Sequence, residues 1–357
     1  MAKFLAQAGF QIDLICPWKV QKGLRDGIYF RPFPKAENRS SRYKNYKKIW
    51  ADLTVQNYDI YHFHDLDLVP LFTLFKLLRG KNIVYDMHEN YPQEMWHKSY
   101  IPIALKPLAS LAVRVIEWVG MNIIHNLVVV EDNQERMYST RTVLVLKIRN
   151  FATKEFSNGR IENYDERPDG VIFTGSHYES NGSLLFLEIA RIVHSVKPEV
   201  KFYCINRFGD KRIEENMKDK VRQYGLENLV VFLPNVSPHE VINYLNKSTI
   251  ALAPSLDIPR HRKAIPNKIF EYMAAGIPIV ASDLPYNRQF IEQSGSGFVA
   301  NPSNPEDFAR RIIQLCEDKI LAKKMARQGT DVFENQYNWE MEASKLPTFY
   351  KKLMKID

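Results

Sequence analysis

A lysine and a glutamate three positions apart could together bind one ligand that carries phosphate and hydroxyl groups. Residues 263–280 read KAIPNKIFEYMAAGIPIV, and a helix opened by Pro266 puts Lys268 in its first turn. The free N–H groups and the dipole of that turn favour negative charge. A period of 3.6 places Lys268, Glu271 and Tyr272 on one face. The amides and Lys268 could then hold a diphosphate while Glu271 accepts hydrogen bonds from a ribose diol, as in a nucleotide diphosphate sugar.

The same spacing also fits an ordinary Lys–Glu pair on a solvated helix face, which stabilises a helix by roughly a few tenths of a kcal/mol. The residues after the helix indicate a packed setting. Gly276 stands where a helix commonly ends, Pro278 prevents continuation, and IPIVAS reads as a buried strand.

Histidines follow two predicted strands in the first half of the chain. His88, in VYDMHENYP, follows a strand at the place where open α/β proteins bind ligands, although a loop histidine is also compatible with a structural role. His62, His64 and Asp65 form a second cluster at a strand end. We interpret His62 and His64 mainly as structural or acceptor-side residues.

The elements that must position these residues alternate between strands and helices, which is typical of parallel α/β proteins. Predicted strands lie at 11–15, 60–63, 82–85, 127–130, 143–148, 170–174, 201–205, 229–233, 250–253, 277–281 and 297–300. The polar segment 151–169 is the predicted linker. We therefore expect domains at 1–160 and 161–337 and a final helix at 338–357.

The beginning of the chain departs from a doubly wound domain. MAKFLAQAGF reads as the end of an amphipathic helix closed by Gly9, and QIDLI follows as a strand. Such a helix normally follows a central first strand and a glycine-rich turn. We expect that a segment of about 20 to 25 residues is missing upstream, judged from usual element lengths. The alternative is a hole beside the central crevice.

The charge of the chain is unevenly distributed. Residues 1–160 contain 23 Lys+Arg against 15 Asp+Glu, whereas the remainder is balanced. Segment 19–48 contains ten basic residues, which fits an anionic membrane surface, an acidic acceptor or a solvated basic loop. It lacks the aromatic interleaving of nucleic-acid sites. The apolar stretch 101–124 is interrupted by Lys106, Pro107, Arg114 and Glu117.

Three widely spaced cysteines predict free thiols in a reducing compartment: Cys16, Cys204 and Cys316. The N-terminal residues lack the pattern of a secretory signal. We expect a cytoplasmic protein, or one that is peripheral at the inner face of the membrane.

EYMAAGIPIVAS resembles the donor-binding segment of glycosyltransferase family 4, a retaining group with the GT-B fold. The resemblance covers nearly the whole chain and includes YDIYHFHDLDLVPL, NIVYDMHENYP, VVFLPNVSPHEVINYLNKSTIALAPS and YNWEMEASKLPTFYKKL. It implies two Rossmann-like domains that face a cleft, with the donor held mostly by the second domain. The last motif resembles a helix that crosses back to the first domain, which here lacks its first strand and glycine turn.

The resemblance assigns roles to residues of the opening stretch. Glu271 matches the second glutamate of the E-x7-E motif, which binds the nucleotide ribose, whereas Lys263 stands where the first glutamate contacts the sugar. His88 resembles the family histidine that contacts the donor sugar and acts in catalysis. The backbone is implied to approach the sugar and diphosphate at Ala264, Ile265, Pro266 and Asn267.

A second departure lies in VIFTGSHYESNG. After Gly175, the family places an arginine and a lysine that neutralise the diphosphate, but this chain has Ser176 and Asn181. Without two positive charges beside a leaving pyrophosphate, roughly several kcal/mol of transition-state stabilisation is lost unless other residues replace them. Lys268 is our leading replacement; the others are Lys263, Arg262, Arg260 and Arg207. Val236 is either the wall of the base pocket or an ordinary loop residue.

The expected reaction is retaining transfer from a nucleotide sugar, with a UDP-sugar favoured, to a glycan or lipid-linked acceptor in polysaccharide biosynthesis. The resemblance implies that the leaving phosphate takes the acceptor proton, without a protein nucleophile or a metal. Asp65-Leu66-Asp67 spells the DxD of metal-dependent GT-A enzymes, but that reading leaves the second half unexplained. The alternatives are a noncatalytic nucleotide-sugar-binding protein and a sugar-nucleotide epimerase.

Overall fold

The chain divides into two α/β units. This computed structural model describes residues 1–17, 21–88, 90–96, 98, 101–139, 142–205, 208, 211–237 and 240–355, the side chain of Arg39 excepted. The first unit comprises Met1–Arg149 with Glu342–Asp357, and the second comprises Asn150–Met341. The linker boundary lies at 149 rather than 160 because Phe151 packs in the core of the second unit, 4.3 Å from Phe270 between ring centroids.

The strands are short and mostly parallel. In chain order they are β1 Ile12–Cys16, β2 Gly23–Arg25, β3 Ile28–Pro32, β4 Ile60–Phe63, β5 Asn82–Met87, β6 Asn126–Val129, β7 Leu144–Lys147, β8 Gly170–Phe173, β9 Lys201–Ile205, β10 Val230–Leu233, β11 Ile250–Ala253, β12 Ile279–Ser282 and β13 Gly297–Ala300. Every predicted strand forms, with its ends within two residues of the prediction.

Helices connect most of the strands. They are α1 Ala2–Gln7, α2 Arg39–Val55, α3 Val69–Arg79, α4 Tyr91–Glu94, α5 Lys106–Ile124, α6 Asp132–Tyr138, α7 Ser183–Val196, α8 Lys211–Gln223, α9 Val241–Leu245, α10 Pro259–Lys263, α11 Asn267–Ala275, α12 Pro285–Ser294, α13 Pro305–Glu317, α14 Lys319–Asn335, α15 Trp339–Ala343 and α16 Lys345–Met354. The return to the first unit begins at 342 rather than 338, since the Trp339 N–H still donates to Ala152 O at 2.9 Å within the second unit.

The second unit has one parallel sheet in the order β10-β9-β8-β11-β12-β13. Its chain direction across the sheet reverses between β8 and β11, which is the topological switch point of a doubly wound fold. Neighbouring residues of β8 are fully buried on opposite faces: Val171 and Phe173 join one core cluster, and Ile172 joins the other. The unbroken apolar runs in the sequence therefore correspond to strands that are covered by helices on both faces.

The sheet of the first unit is divided in two. Strands β1, β3 and β2 form one sheet, and β4 to β7 form a parallel sheet in chain order. Tyr58, just before β4, donates from Oη to Asp13 Oδ2 of β1 at 2.6 Å. In the described part of the chain, no strand pairs with both β1 and β4. The division lies where a doubly wound sheet has its central strand.

The solvated-loop interpretation of the basic segment 19–48 is wrong for much of its length. Its described residues form β2, β3 and the beginning of α2, and β3 pairs in parallel with β1. Arg31 of β3 donates from Nε to Asp13 Oδ2 at 2.8 Å. Lys19 lies outside the described residues. Strands β2 and β3 were not predicted, because pairing with neighbouring strands, and not their composition, stabilises them.

Candidate functional site

Helix α11 begins and ends close to the predicted residues. Pro266 is the N-cap rather than the first helical residue, and Lys268 lies in the first turn as predicted. At the other end Gly276 adopts the left-handed region with φ 66°, while the N–H of Ile277 donates to Tyr272 O at 3.3 Å. This arrangement satisfies carbonyls that the helix end would otherwise leave unpaired.

Tyr272 ties α11 to the second sheet. Its Oη accepts hydrogen bonds from the N–H and the hydroxyl of Thr174, both at 3.0 Å, and donates to Leu252 O at 3.2 Å. Thr174 directly follows β8, and Leu252 lies in β11. Tyr272, predicted on the helix face of Lys268 and Glu271, has a fully buried side chain, so this face is in part covered by the sheet. Helix α11 is thereby held at the switch point.

Lys268 lies at the carboxyl end of β8. Its ammonium is 4.5 Å from the centroid of the Phe173 ring. A Cβ added to Gly175, whose φ is +101°, would be 3.4 Å from the Lys268 Nζ. Among the described residues, no carboxylate lies within ion-pair distance of this ammonium. The predicted residues Lys268 and Gly175 are therefore brought together at the place where α/β proteins bind ligands.

The electrostatics of this pair reflect burial. Burial disfavours the charged form and lowers the pKa of Lys268 to about 8, although the carboxylate of Glu271 opposes that shift. Burial also raises the pKa of Glu271, against the effect of Lys268. Both side chains are half-buried and lie one turn apart on α11. A cation with a lowered pKa gains from an anionic ligand, because the ligand restores favourable interactions that water no longer supplies.

The other predicted cations have different surroundings. Arg262 donates from Nη2 to Asp257 Oδ2 at 2.7 Å, so its charge is already paired. Arg260 and Lys263 are exposed on α10, and Arg207 lies outside the described residues. Lys268 is thus the candidate that the structure places beside Gly175.

The backbone between α10 and α11 offers fewer donors than the resemblance implies. The Ala264 N–H donates to Arg260 O at 3.0 Å, and Pro266 has no N–H. Within the described residues, the N–H groups of Ile265 and Asn267 have no hydrogen-bond acceptor. Ile265 packs against the core on the α11 side of the sheet, whereas Asn267 is exposed.

The remaining predicted donor-side residues lie in loops of the second unit. Asn181 Nδ2 donates to Ser176 O at 2.7 Å, so these two residues fasten the β8–α7 loop where the family has its cation pair. Val236 is half-buried against the same core as Ile265. That contact is compatible with either interpretation of Val236.

Gly182 allows the β8–α7 loop to approach the end of β11. A Cβ there would be 1.8 Å from Pro254 O, and the φ of Gly182 is +82°. We expect Gly182→Ala to lower the free energy of unfolding by more than about 2 kcal/mol, measured by urea denaturation. Gly225→Ala is the matched control, with φ +67° and nothing near its Cβ. Equal losses in the two variants would contradict the steric explanation.

The first unit brings three histidines onto one carboxylate. Asp86 of β5 is fully buried, and its Oδ2 lies 3.2 Å from His62 Nε2, 3.2 Å from His64 Nδ1 and 3.3 Å from His88 Nε2. The His62 Nδ1 is hydrogen-bonded to the Tyr350 hydroxyl. We call His62, His64, Asp86 and His88 the histidine cluster. His88 therefore contacts His64, which belongs to the predicted cluster at the other strand end, and shares Asp86 with His62.

The shifted pKa values of the cluster favour an ionised Asp86 carboxylate and a neutral His62 imidazole. Burial opposes ionisation of Asp86, but the hydrogen bonds with the three histidines outweigh it and hold its pKa well below the usual range. Burial lowers the pKa of His62, against the effect of Asp86. Asp86 was not among the predicted site residues. It could have been recognised as a charged residue within an apolar strand sequence, two positions before His88 and so on the same side of an extended chain.

The two aspartates of the DxD sequence, Asp65 and Asp67, do not group with other potential metal ligands among the described residues. The Asp67 carboxylate accepts from Arg42 Nη1 at 2.5 Å, and Asp65 precedes a short 3₁₀ turn with φ 68°. Within the described residues, the grouping of potential metal ligands is at His62, His64 and Asp86.

Comparisons with known proteins match both units. The model of glycosyl transferases group 1 matches residues 158–332, and the model of Glycosyltransferase Family 4 matches residues 1–141. The α-1,3/1,6-mannosyltransferase ALG2 of Dictyostelium discoideum is 29% identical over 140 residues, which are 39% of this chain and 32% of that protein. This chain spans from about a third to a half of the length of the curated relatives it matches.

Solved structures show the same fold at low sequence identity. Sucrose-phosphate synthase from Thermosynechococcus elongatus has a TM-score of 0.72 at 14% identity, covering 99% of this chain and 92% of that one. Anabaena Alr3699/HepE in complex with UDP and glucose has a TM-score of 0.69 at 14% identity, covering 91% and 86%. The fold is GT-B, and the GT-A alternative is wrong. With its two family matches, the chain belongs to glycosyltransferase family 4.

Proposed function

We propose that this protein transfers a sugar, with retention of configuration, from a nucleotide sugar to a glycan or lipid-linked acceptor in polysaccharide biosynthesis. The observation that carries the proposal is Lys268 above Gly175, with Glu271 one turn later on the same helix. This arrangement offers a cation for a diphosphate and a carboxylate for a ribose diol. A UDP-sugar is the favoured donor, since the similar Anabaena protein was solved with UDP and glucose.

The proposed mechanism relies on positioning and charge. As pyrophosphate leaves, the Lys268 ammonium and the N–H of Asn267 stabilise its developing charge, and Glu271 holds the ribose. The leaving phosphate accepts the proton of the acceptor hydroxyl on the face of attack. His88 is the proposed sugar contact and catalytic residue of the first unit. We propose a metal-independent reaction because Lys268 supplies positive charge at the diphosphate.

Calorimetric titration with UDP-, GDP- and ADP-sugars, followed by assays of donor hydrolysis and of transfer, tests the proposal. We expect binding of one nucleotide class, slow hydrolysis without acceptor, and unchanged turnover after treatment with a chelator. Binding without turnover would favour the noncatalytic protein, and an isomerised donor would favour the epimerase. Absence of binding to all three classes would overturn the proposal.

The lowered pKa of Lys268 predicts a pH dependence of donor binding. In the free protein burial lowers this pKa to about 8, and a bound diphosphate should raise it. Affinity should therefore be highest below about pH 8, fall as pH rises above it, and be accompanied by proton uptake near that pH. Calorimetry in buffers of different ionisation enthalpy measures the uptake. Lys268→Arg should bind without this alkaline fall; an identical pH profile would contradict the assignment.

The first unit presents an apolar surface that suits a lipid-linked acceptor at a membrane. Helix α5 buries Glu117, Gly120 and Met121 on one side, while Leu111 and Trp118 are 57% and 65% exposed on the other. Further exposed apolar residues extend this surface on α3, before α5 and along α5: Leu74, Leu77, Leu78, Ile103, Leu105, Leu108 and Val115. Helix α5 has apolar residues on both faces, and the protein covers only one of them. The uncovered apolar face favours contact with lipid.

Two further observations support the membrane proposal. By length and composition alone, the described segment Ile103–Ile124 could cross a bilayer, and 28% of its most apolar window is buried. Exposed Arg79 and Arg114 lie on α3 and α5, where they could meet anionic headgroups. We propose peripheral binding at the cytoplasmic face. Three free cysteines fit a reducing compartment.

Co-sedimentation with anionic and neutral liposomes measures this binding. We expect salt-sensitive binding to anionic vesicles, weakened roughly 10- to 100-fold in the double variant Leu111→Ser, Trp118→Ser, because two apolar side chains lose membrane burial. Ile320→Ser is the control, since Ile320 is 83% exposed on α14 of the second unit. Equal binding by the double variant and the control would exclude this surface.

A further inference from the structure

We propose that the histidine cluster binds one divalent transition-metal ion of the zinc type. The site lies wholly in the first unit, whereas the predicted donor residues on α11 belong to the second unit. Its core ligands are His62, His64 and Asp86, whose ligand atoms lie within 4.8 Å of one another, and His88 Nε2 is the proposed fourth ligand, 3.3 Å from Asp86 Oδ2. Neither the family resemblance nor the DxD sequence predicts a metal at these residues.

Four of the six edges of the cluster have the lengths of tetrahedral edges. Zinc binds imidazole nitrogen at about 2.0 to 2.1 Å, so the edges of a tetrahedral site are about 3.3 to 3.4 Å long. In the cluster, Asp86 Oδ2 lies 3.2, 3.2 and 3.3 Å from the three imidazole nitrogens. The fourth measured edge, between His64 Nδ1 and His88 Nε2, is 3.0 Å. Asp86 Oδ2, His64 Nδ1 and His88 Nε2 thus form one face of a tetrahedron, and His62, His64 and Asp86 have ligand atoms that all lie within 4.8 Å of one another. His88 is outside that second set, so binding of one ion must bring the rings of His62 and His88 closer together.

Two neighbouring features are typical of built metal sites. The outer nitrogen of His62 is hydrogen-bonded to the Tyr350 hydroxyl, which fixes the ring with Nε2 directed to the cluster. The second oxygen of Asp86 is buried and has no hydrogen-bond partner among the described residues. A fully buried carboxylate that places one oxygen against three imidazoles has a negative charge that a divalent cation would balance.

The ligand types select the class of metal. Three imidazoles and one carboxylate suit zinc, cobalt, nickel or copper, whereas magnesium and calcium prefer oxygen ligands. His64 and His88 have side chains 49% and 38% exposed, so an ion can reach the cluster from solvent. The buried His62 and Asp86 form the inner half of the site.

Metal binding would occupy the imidazole of His88 and so inhibit the proposed transfer. Only this consequence rests on the proposed function, because the ion itself is bound by residues of the first unit. The enzyme would work without metal and be inhibited by micromolar zinc, a result opposite to that of a metal-dependent transferase.

Zinc titration against a chromophoric chelator, on full-length protein without nucleotide sugar, tests the site. We expect one ion per chain, and Co²⁺ should give the intense visible absorption of tetrahedral coordination. His64→Ala and His88→Ala, at partly exposed positions, should each weaken zinc binding by more than about 100-fold, as loss of a direct ligand exceeds the effect of an outer-shell change. His194→Ala on α7 of the second unit is the control.

Two results would overturn the proposal: no stoichiometric zinc binding, or binding that His64→Ala and His88→Ala leave unchanged while circular dichroism shows folded protein. A six-coordinate cobalt spectrum would also contradict it. Because these measurements need no donor or acceptor, they succeed or fail independently of the transfer assay. Inhibition by zinc in the unaltered protein, lost in His64→Ala, would then connect the site to His88.

Discussion

Glu271→Ala is expected to abolish measurable binding of the nucleotide donor. The carboxylate lies half-buried on α11, one turn after Lys268, and is the proposed acceptor for both hydroxyls of the ribose. Each hydrogen bond to a charged group contributes about 1.5 to 3 kcal/mol, so losing two weakens binding roughly 100- to 10,000-fold. Calorimetric titration with UDP and with the preferred donor measures this loss.

Two variants make the Glu271 result specific. Glu271→Gln preserves shape and one acceptor oxygen, and it should bind with intermediate affinity. Glu227→Ala removes an exposed carboxylate before the edge strand β10, at the amino ends of the parallel strands rather than the carboxyl ends where Lys268 lies, and should bind as the unaltered protein does. Retention of full affinity by Glu271→Ala would show that ribose is held elsewhere.

Lys268→Ala should weaken donor binding by about 1.5 to 3 kcal/mol, or roughly 10- to 150-fold, because one charged partner of the diphosphate is lost. The loss in turnover should exceed the loss in affinity, since negative charge on the pyrophosphate increases as the sugar bond breaks. Comparison of kcat and KM with the calorimetric Kd separates the two effects.

The neighbouring cations provide the controls for Lys268. Arg262 is paired with Asp257, so Arg262→Ala should change donor affinity little. Lys263→Ala distinguishes the exposed lysine that replaces the family glutamate. If Lys263→Ala weakens binding and Lys268→Ala does not, the charge that compensates for Ser176 and Asn181 comes from α10.

Local features of the fold could be predicted because their signals lie in neighbouring residues. The strand 201–205 is an apolar run of the right length, and it forms at Lys201–Ile205. Gly276 ends α11 in the left-handed region because glycine lacks the Cβ that opposes this conformation. By contrast, β3 was missed because its pairing with β1, and not its composition, stabilises it.

The candidate site was predicted only in part for a related reason. Sequence spacing places Lys268 and Glu271 on one helix face. The structure confirms that both residues lie on α11, one turn apart. Spacing alone does not show that Tyr272 is buried, since which part of a helix is covered depends on how the helix packs on the sheet. The bonds of Tyr272 to Thr174 and Leu252 exist because β8 and β11 are adjacent at the switch point.

By itself, the sequence determined the alternation of strands and helices, the two-domain GT-B family and the place of Lys268 in the first turn of α11. These depend on periodicity, helix ends and motifs, all of which are short-range. Only the tertiary structure set Lys268 over Gly175 and three histidines around Asp86. Those contacts join residues far apart in the chain, and the pairing order of parallel strands decides which strand ends meet.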